Sequence, residues 1–356
     1  MERRFSKKDS MTAKGLAILL LLFYHLFYEE HVIMQMQVNH GPIPKDIFLM
    51  GAGFGNICVA IFVMITAYGI TKSILEVPGM SMKAAYEQAV GRFIKLMGGF
   101  AVLYISAIVV WSKEFNLQSL YGHGKQGVIL MLCDGLGIAQ VLGTPTLNET
   151  WWYMALAYTF IFLIPLLAFC VQKIGTALLP MAFFLPMVIT LNSDMSRYLF
   201  VAVFGVCAAH GGWFDKVLNL RLHVVWKWCI GLAGFLFCVL VRQNAVVKDY
   251  LADYADAPIA FFLICFAIML PGSIPGIKQI LDFIGKHSMN IYLVHTFFYL
   301  ILYRDFVYGF GHAGIIFVVL VIVSLMYAVI LDAVRALVVR GANVFLRMWE
   351  EKRKKM

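Results

Sequence analysis

The chain has 356 residues, 62% of them hydrophobic and only 14% charged, with a formal net charge of +9 and a mean hydropathy of +0.82. A soluble domain carries about 25% charged residues, so the composition excludes one. It points to one polytopic membrane domain over residues 1–356, an all-α transmembrane helical bundle with short loops.

The N-terminus reads MERRFSKKDS before the first apolar run. No small-residue cleavage site follows, so the run is expected to stay as a first span rather than leave as a signal peptide. Stretches of about 20 mostly apolar residues, the length a bilayer core requires, fall near 11–30, 54–75, 91–112, 150–171, 174–192, 196–212, 224–243, 256–271, 285–303 and 313–338. One more apolar stretch, 125–142, is short, glycine-rich and contains Asp134.

Loops on the cytoplasmic side are enriched in Lys and Arg, and this rule decides the status of 125–142. If it does not cross, 22 of the 29 Lys and Arg lie on the side of the N-terminus; if it crosses, only 13 do. The expectation is therefore about ten spans with both termini cytoplasmic, in the plasma membrane. Residues 125–142 become a re-entrant or interfacial piece on the outer face, covered by protein or lining a wet cavity. The basic tail, about 339–356, then anchors the inner end and meets anionic membrane lipid. It is too short to suggest nucleic acid as a partner. The seven cysteines all lie in apolar segments without C-x-x-C spacing and read as free thiols.

Ionisable residues in a membrane are costly and usually functional. Lys14 and His25 are eleven residues apart on the first span, about three turns and roughly 16.5 Å of rise. They share a face, with Lys14 expected at the inner mouth and His25 past the middle. A cation there suits phosphates, and a neutral imidazole deeper in suits a general base. The bland alternative for His25 is a hydrogen-bonded core histidine. Glu29, one turn on, either orients His25 or is a solvated helix end.

Arg92 and Lys95, three residues apart, share a helix face at the inner start of the third span. They read either as a phosphate-binding pair or as snorkelling residues that set topology. Glu149, Trp151 and Trp152 open the fourth span, as an interfacial aromatic belt or as a sugar platform. His295 is a second deep histidine. Gly51-Ala-Gly-Phe-Gly55 follows no strand, so it reads as a turn and close-packing start of the second span rather than a nucleotide loop. No histidine spacing suggests a metal.

Lys14 and His25 in KGLAILLLLFYH resemble the Arg/Lys-x10-His signature of acyltransferase family 3, the membrane O-acyltransferases of polysaccharide and peptidoglycan modification. GNICVAIFVMITAYGITKS (55–73), Arg92-Phe-Ile-Lys95, TWWYMALAYTFIFLIPLL (150–167), YLFVAVFGVCAAHGGWFDK (198–216) and GKHSMNIYLVH (285–295) resemble further stretches of that family in the same order. The resemblance implies acetyl-CoA as acyl donor, with no metal, and a surface glycan or lipid-linked sugar as acceptor. It implies His25 as catalytic residue and Lys14, Arg92 and, by position, Lys95 near the donor. Glu149, Trp151, Trp152 and His295 are carried as acceptor-side candidates. The second Arg of the family pair is Lys95 here, which lacks bidentate phosphate geometry, and Ala155 and Ala157 stand where relatives often have acidic residues. Some relatives add an extracytoplasmic esterase-like domain; here that role would fall to a separate partner protein. A different class also fits the composition: a multi-span exporter or flippase of a lipid-linked sugar, without acyl transfer.

Overall fold

The computed structural model describes residues 3–244, 246–247 and 251–355. Ser6 and Asp9 start the first long helix. Ser6 Oγ accepts from the Asp9 backbone N–H at 3.2 Å, and Asp9 Oδ2 accepts from the Ser6 N–H at 2.9 Å. This reciprocal cap satisfies donors that a helix start leaves free. α1 therefore runs Lys7–Phe27, beginning four residues before the expected span. Lys14 consequently stands about 10 Å along the helix rather than at its mouth, and His25 lies two residues from its end.

Nine further long helices follow: α2 (Cys58–Leu75), α3 (Met82–Val110), α4 (Trp152–Ile174), α5 (Leu178–Val188), α6 (Ser193–Gly211), α7 (Val224–Gln243), α8 (Ala252–Met269), α9 (Pro275–Thr296) and α10 (Ala313–Lys355). Each expected span contains one of them, and no strand occurs among the described residues. The basic tail lies on α10, but its side chains from 341 on are outside the described residues. All seven cysteines are unpaired.

Among the described residues, seven helical stretches are long and apolar enough to cross a membrane on their own, Glu149–Val188 among them, which joins α4 and α5. The other expected spans are α6 and α9. Both hold charged residues, Asp194 and Arg197 on α6 and Lys278, Asp282 and Lys286 on α9; Arg197 reaches Asp256 of α8 at 3.9 Å, and Lys278 and Asp282 pair with each other and with Thr12 of α1. α5 differs from its expected 19-residue span. Its 11 residues rise only about 16.5 Å, after which residues 189–192 continue without helix.

The segment 125–142 does not cross. Phe93 on α3 packs on Tyr158 and Phe162 of α4, while Phe100 packs on Trp151 at the start of α4. α3 and α4 are thus antiparallel neighbours, and the chain between them leaves and returns at the same end. That excursion folds as short helices, Leu117–Tyr121, Gly124–Gly135 and Ala139–Leu142. Its clasp is Asp134, buried, accepting from Tyr121 Oη at 2.6 Å, the Leu147 N–H at 2.7 Å and Thr146 Oγ1 at 2.8 Å. Burial pushes this carboxyl up from the usual range, against the three hydrogen bonds.

α1 occupies the centre and packs most extensively along α9, parallel to it. Two glycines permit this. A Cβ on Gly15 would lie 2.1 Å from the Leu281 carbonyl oxygen, and one on Gly285 would lie 1.9 Å from that of Met11. Backbones approach this closely only where side chains are absent. Gly55 does the same for the turn before α2, where a Cβ would meet the Leu20 carbonyl oxygen at 2.3 Å. This is the close-packing role expected of the glycine run. α7 and the apolar part of α10 lie outside, presenting residues such as Trp226, Leu236, Leu240, Ile322 and Met326 outward, as lipid-facing helices do.

Candidate active site

The parallel register of α1 and α9 sets the site. It places Lys14 near Ser288 and His25 beside His295, with the two imidazole centroids 5.0 Å apart. α9 then runs into a single π-type turn, Phe297–Ile301, a distortion common at functional sites. Tyr299 on that turn stacks on His295 at 5.7 Å and stands 6.2 Å from His25.

Lys14 lines a narrow cleft of about 70 Å³ with Phe62, Thr66, Tyr153, Ser288 and Met289. His25 lines a second cavity of about 210 Å³ with Tyr24, Cys58, Trp152 and Tyr198. Leu21, Val59 and Tyr292 line both. The cation and the imidazole therefore stand in adjacent cavities, and those three side chains form the waist between them. Tyr292 is held there by donating its hydroxyl to the Thr150 carbonyl oxygen. His25 also faces a third space, of about 270 Å³, opening beside Glu29 and Arg304.

The acceptor-side candidates separate. Trp152 borders the His25 cavity, its ring parallel to that of Tyr198 at 6.3 Å. Trp151 does not: it is buried, donates from Nε1 to the Leu293 carbonyl oxygen at 2.9 Å and packs on Phe100. It is neither a belt residue nor a sugar platform but an anchor of α4 on α9. Asn148 adds to that anchor, donating from Nδ2 to Thr296 Oγ1 at 2.6 Å. Glu149 is exposed and lines none of these spaces.

His295 is fully buried behind His25. Its Nδ1 donates to the Tyr292 carbonyl oxygen at 2.6 Å, and its Nε2 has no partner among the described residues. That bond leaves Nε2 a lone-pair acceptor in the neutral ring, so His295 cannot donate to an oxyanion or touch an acceptor along these clefts. Glu29 does not orient His25; it pairs with His31 at 3.3 Å.

Arg92 and Lys95 lie outside the Lys14 cleft. Arg92 donates to Ser73 Oγ at 2.8 Å near the end of α2. Lys95 is exposed, and its carbonyl oxygen accepts from Arg335 at 2.6 Å. Both stand at the same end of the bundle as Lys14. Arg197, Arg242 and Asp256 were missed as a group. Arg242 grips Asp256 with two bonds, at 2.7 and 3.0 Å, and Arg197 reaches it only at 3.9 Å. A carboxylate near the start of one span opposite two arginines near the outer ends of others was a readable signal. Tyr292, one of 16 tyrosines, gave none.

No curated protein and no solved structure matches the chain. A family model described as an acyltransferase domain matches residues 12–332, which takes in the Lys14–His25 pair, the three side chains between their cavities and most of the helical bundle. The chain belongs to acyltransferase family 3, and it is a membrane acyltransferase.

Proposed function

We propose that the protein transfers an acetyl group from cytoplasmic acetyl-CoA to a hydroxyl of a cell-surface or lipid-linked glycan, from the plasma membrane, with both termini cytoplasmic. The observation that supports this reading is that the Lys14 cleft and the His25 cavity adjoin, sharing Leu21, Val59 and Tyr292 as lining. A cation in a narrow, mostly apolar cleft and an imidazole in the cavity beside it suit a donor with phosphates at its head and a thioester at the tip of a slender arm. Arg92 and Lys95, at the same end as Lys14, hold the outer phosphates.

The donor supplies an activated acyl group. His25 takes the proton of the acceptor hydroxyl as its oxygen bonds to the acyl carbon; the carbon–sulfur bond breaks, and the proton leaves with the thiol. Tyr24 and Trp152 wall the space where the acceptor sugar meets His25, and His295 fixes the imidazole from behind as a positioning residue.

Purified protein in liposomes with labelled acetyl-CoA and extracted glycan tests this. Removal of a general base costs about 10²–10⁴ in rate, so His25→Ala loses transfer by that factor. Undiminished transfer by His25→Ala would rule the role out.

A further inference from the structure

His25 stands at a junction with two outward openings. One is the 270 Å³ cleft lined by Glu29, Arg304 and Tyr308. The other is reached through Asn56 and Arg197, which line both the His25 cavity and a larger cleft of about 570 Å³ holding Asp46, Gln243 and Asp253. Both openings are at the same end of the bundle. The rings of Tyr24 and Tyr28, 4.7 Å apart and tilted by 36°, form the ridge between them, and Tyr28 lines both clefts.

Each cleft has the donors and acceptors that sugar hydroxyls require, and each comes near or into the size range of a small-molecule site, about 300–1,000 Å³. On the larger side Arg242 is occupied by Asp256, whereas the buried Nε of Arg197 has no hydrogen-bond partner among the described residues. On the other side the Arg304 guanidinium has one side-chain hydrogen bond among the described residues, to Gln35 at 3.2 Å. A chain-terminal acceptor needs one cleft leading to the base and a closed wall behind it. Here the space continues on both flanks.

We infer that the acceptor is an internal residue of an extended glycan, which crosses the Tyr24–Tyr28 ridge with one neighbouring sugar in each cleft. This rests on the proposed function and adds the class of acceptor to it. The reaction places the acyl group on a unit with neighbours on both sides, so it follows the class of reaction that joins sugars into a chain.

The test compares glycans from cells with and without the full chain, released at neutral pH to keep esters intact and sequenced by tandem mass spectrometry. The expected result is acyl groups on internal units. Arg304→Ala on one side and Gln243→Ala on the other each lower the acylated fraction about tenfold, the effect of roughly 1.4 kcal/mol. Acyl groups confined to terminal units or to a lipid-linked single sugar overturn the inference and leave the acyltransferase reading standing. No gain of acyl on any glycan overturns both.

Discussion

Gly285→Ala is the sharpest test of how the site is built. A methyl there would stand 1.9 Å from the Met11 carbonyl oxygen and 2.8 Å from the Gly15 nitrogen, whereas ordinary contact begins at 3.4 Å. Both obstacles are backbone, so no side chain can turn aside, and α1 must retreat from α9 by about 1.5 Å. Overpacking of this kind costs about 1–3 kcal/mol. The functional cost is larger in proportion. α1 carries Lys14 and His25, and α9 carries Tyr292 and His295, so separating the two helices widens the waist and shifts the imidazole. A displacement of about 1 Å in a reacting group costs about 10²-fold in rate. The assay pairs a thermal melt in detergent with acyl transfer in liposomes. Gly276→Ala, on the same helix with nothing within 4 Å of its Cβ, is the control; it gains up to about 1 kcal/mol from helix propensity and keeps its rate. If Gly285→Ala melts and turns over like Gly276→Ala, the account of the α1–α9 contact is wrong.

Arg242→Ala leaves Asp256 buried without its main partner and destabilises the fold by about 3–5 kcal/mol; Arg242→Ala with Asp256→Ala recovers part of that in the same melt. Lys14→Ala raises KM for the acyl-CoA at least tenfold, whereas Lys14→Arg keeps much of the affinity, as saturation curves with varied donor will show; an unchanged donor KM for Lys14→Ala refutes the phosphate assignment. The adjacent tryptophans separate by readout. Trp151→Ala costs about 3–5 kcal/mol of stability, whereas Trp152→Ala leaves the melt nearly unchanged and raises KM for the acceptor.

The sequence made the helices legible because their signal is local. A run of apolar residues, and the distribution of Lys and Arg between its flanks, each depend on neighbours along the chain. The non-crossing of 125–142 was legible for the same reason, and the antiparallel pairing of α3 and α4 bears it out. Spacing also put Lys14 and His25 on one face. What spacing could not supply was depth, because the Ser6–Asp9 cap moved the helix start and carried Lys14 inward with it. Nor could it distinguish Trp151 from Trp152. One residue of separation on a helix turns the side chain by about 100°, and only the position of α9 decides which ring becomes an anchor and which meets the cavity. Arg92 and Lys95 illustrate the same limit. Their end of the bundle was readable, but their distance from Lys14 depends on how α3 packs.

The buried polar groups follow a rule that ties fold to function. Arg3 pairs with Asp9, Arg242 with Asp256, Lys278 with Asp282 and His287 with Asp332. Arg242–Asp256 and His287–Asp332 join different helices, Lys278–Asp282 lies one turn apart on α9, and Arg3–Asp9 ties the N-terminal segment to α1; a buried charge such as that of Asp256, left unanswered, would cost several kcal/mol. Lys14 and His25 break the rule, since neither forms an ion pair or side-chain hydrogen bond among the described residues. They are also the cation and the imidazole of α1 that line the two cavities. Two such groups left open beside these cavities are stabilised when something else answers them. Binding of an acyl-CoA should therefore raise the melting temperature of the wild-type protein, and raise that of Lys14→Ala far less. Equal shifts in the two proteins would mean that Lys14 is answered by something other than the donor.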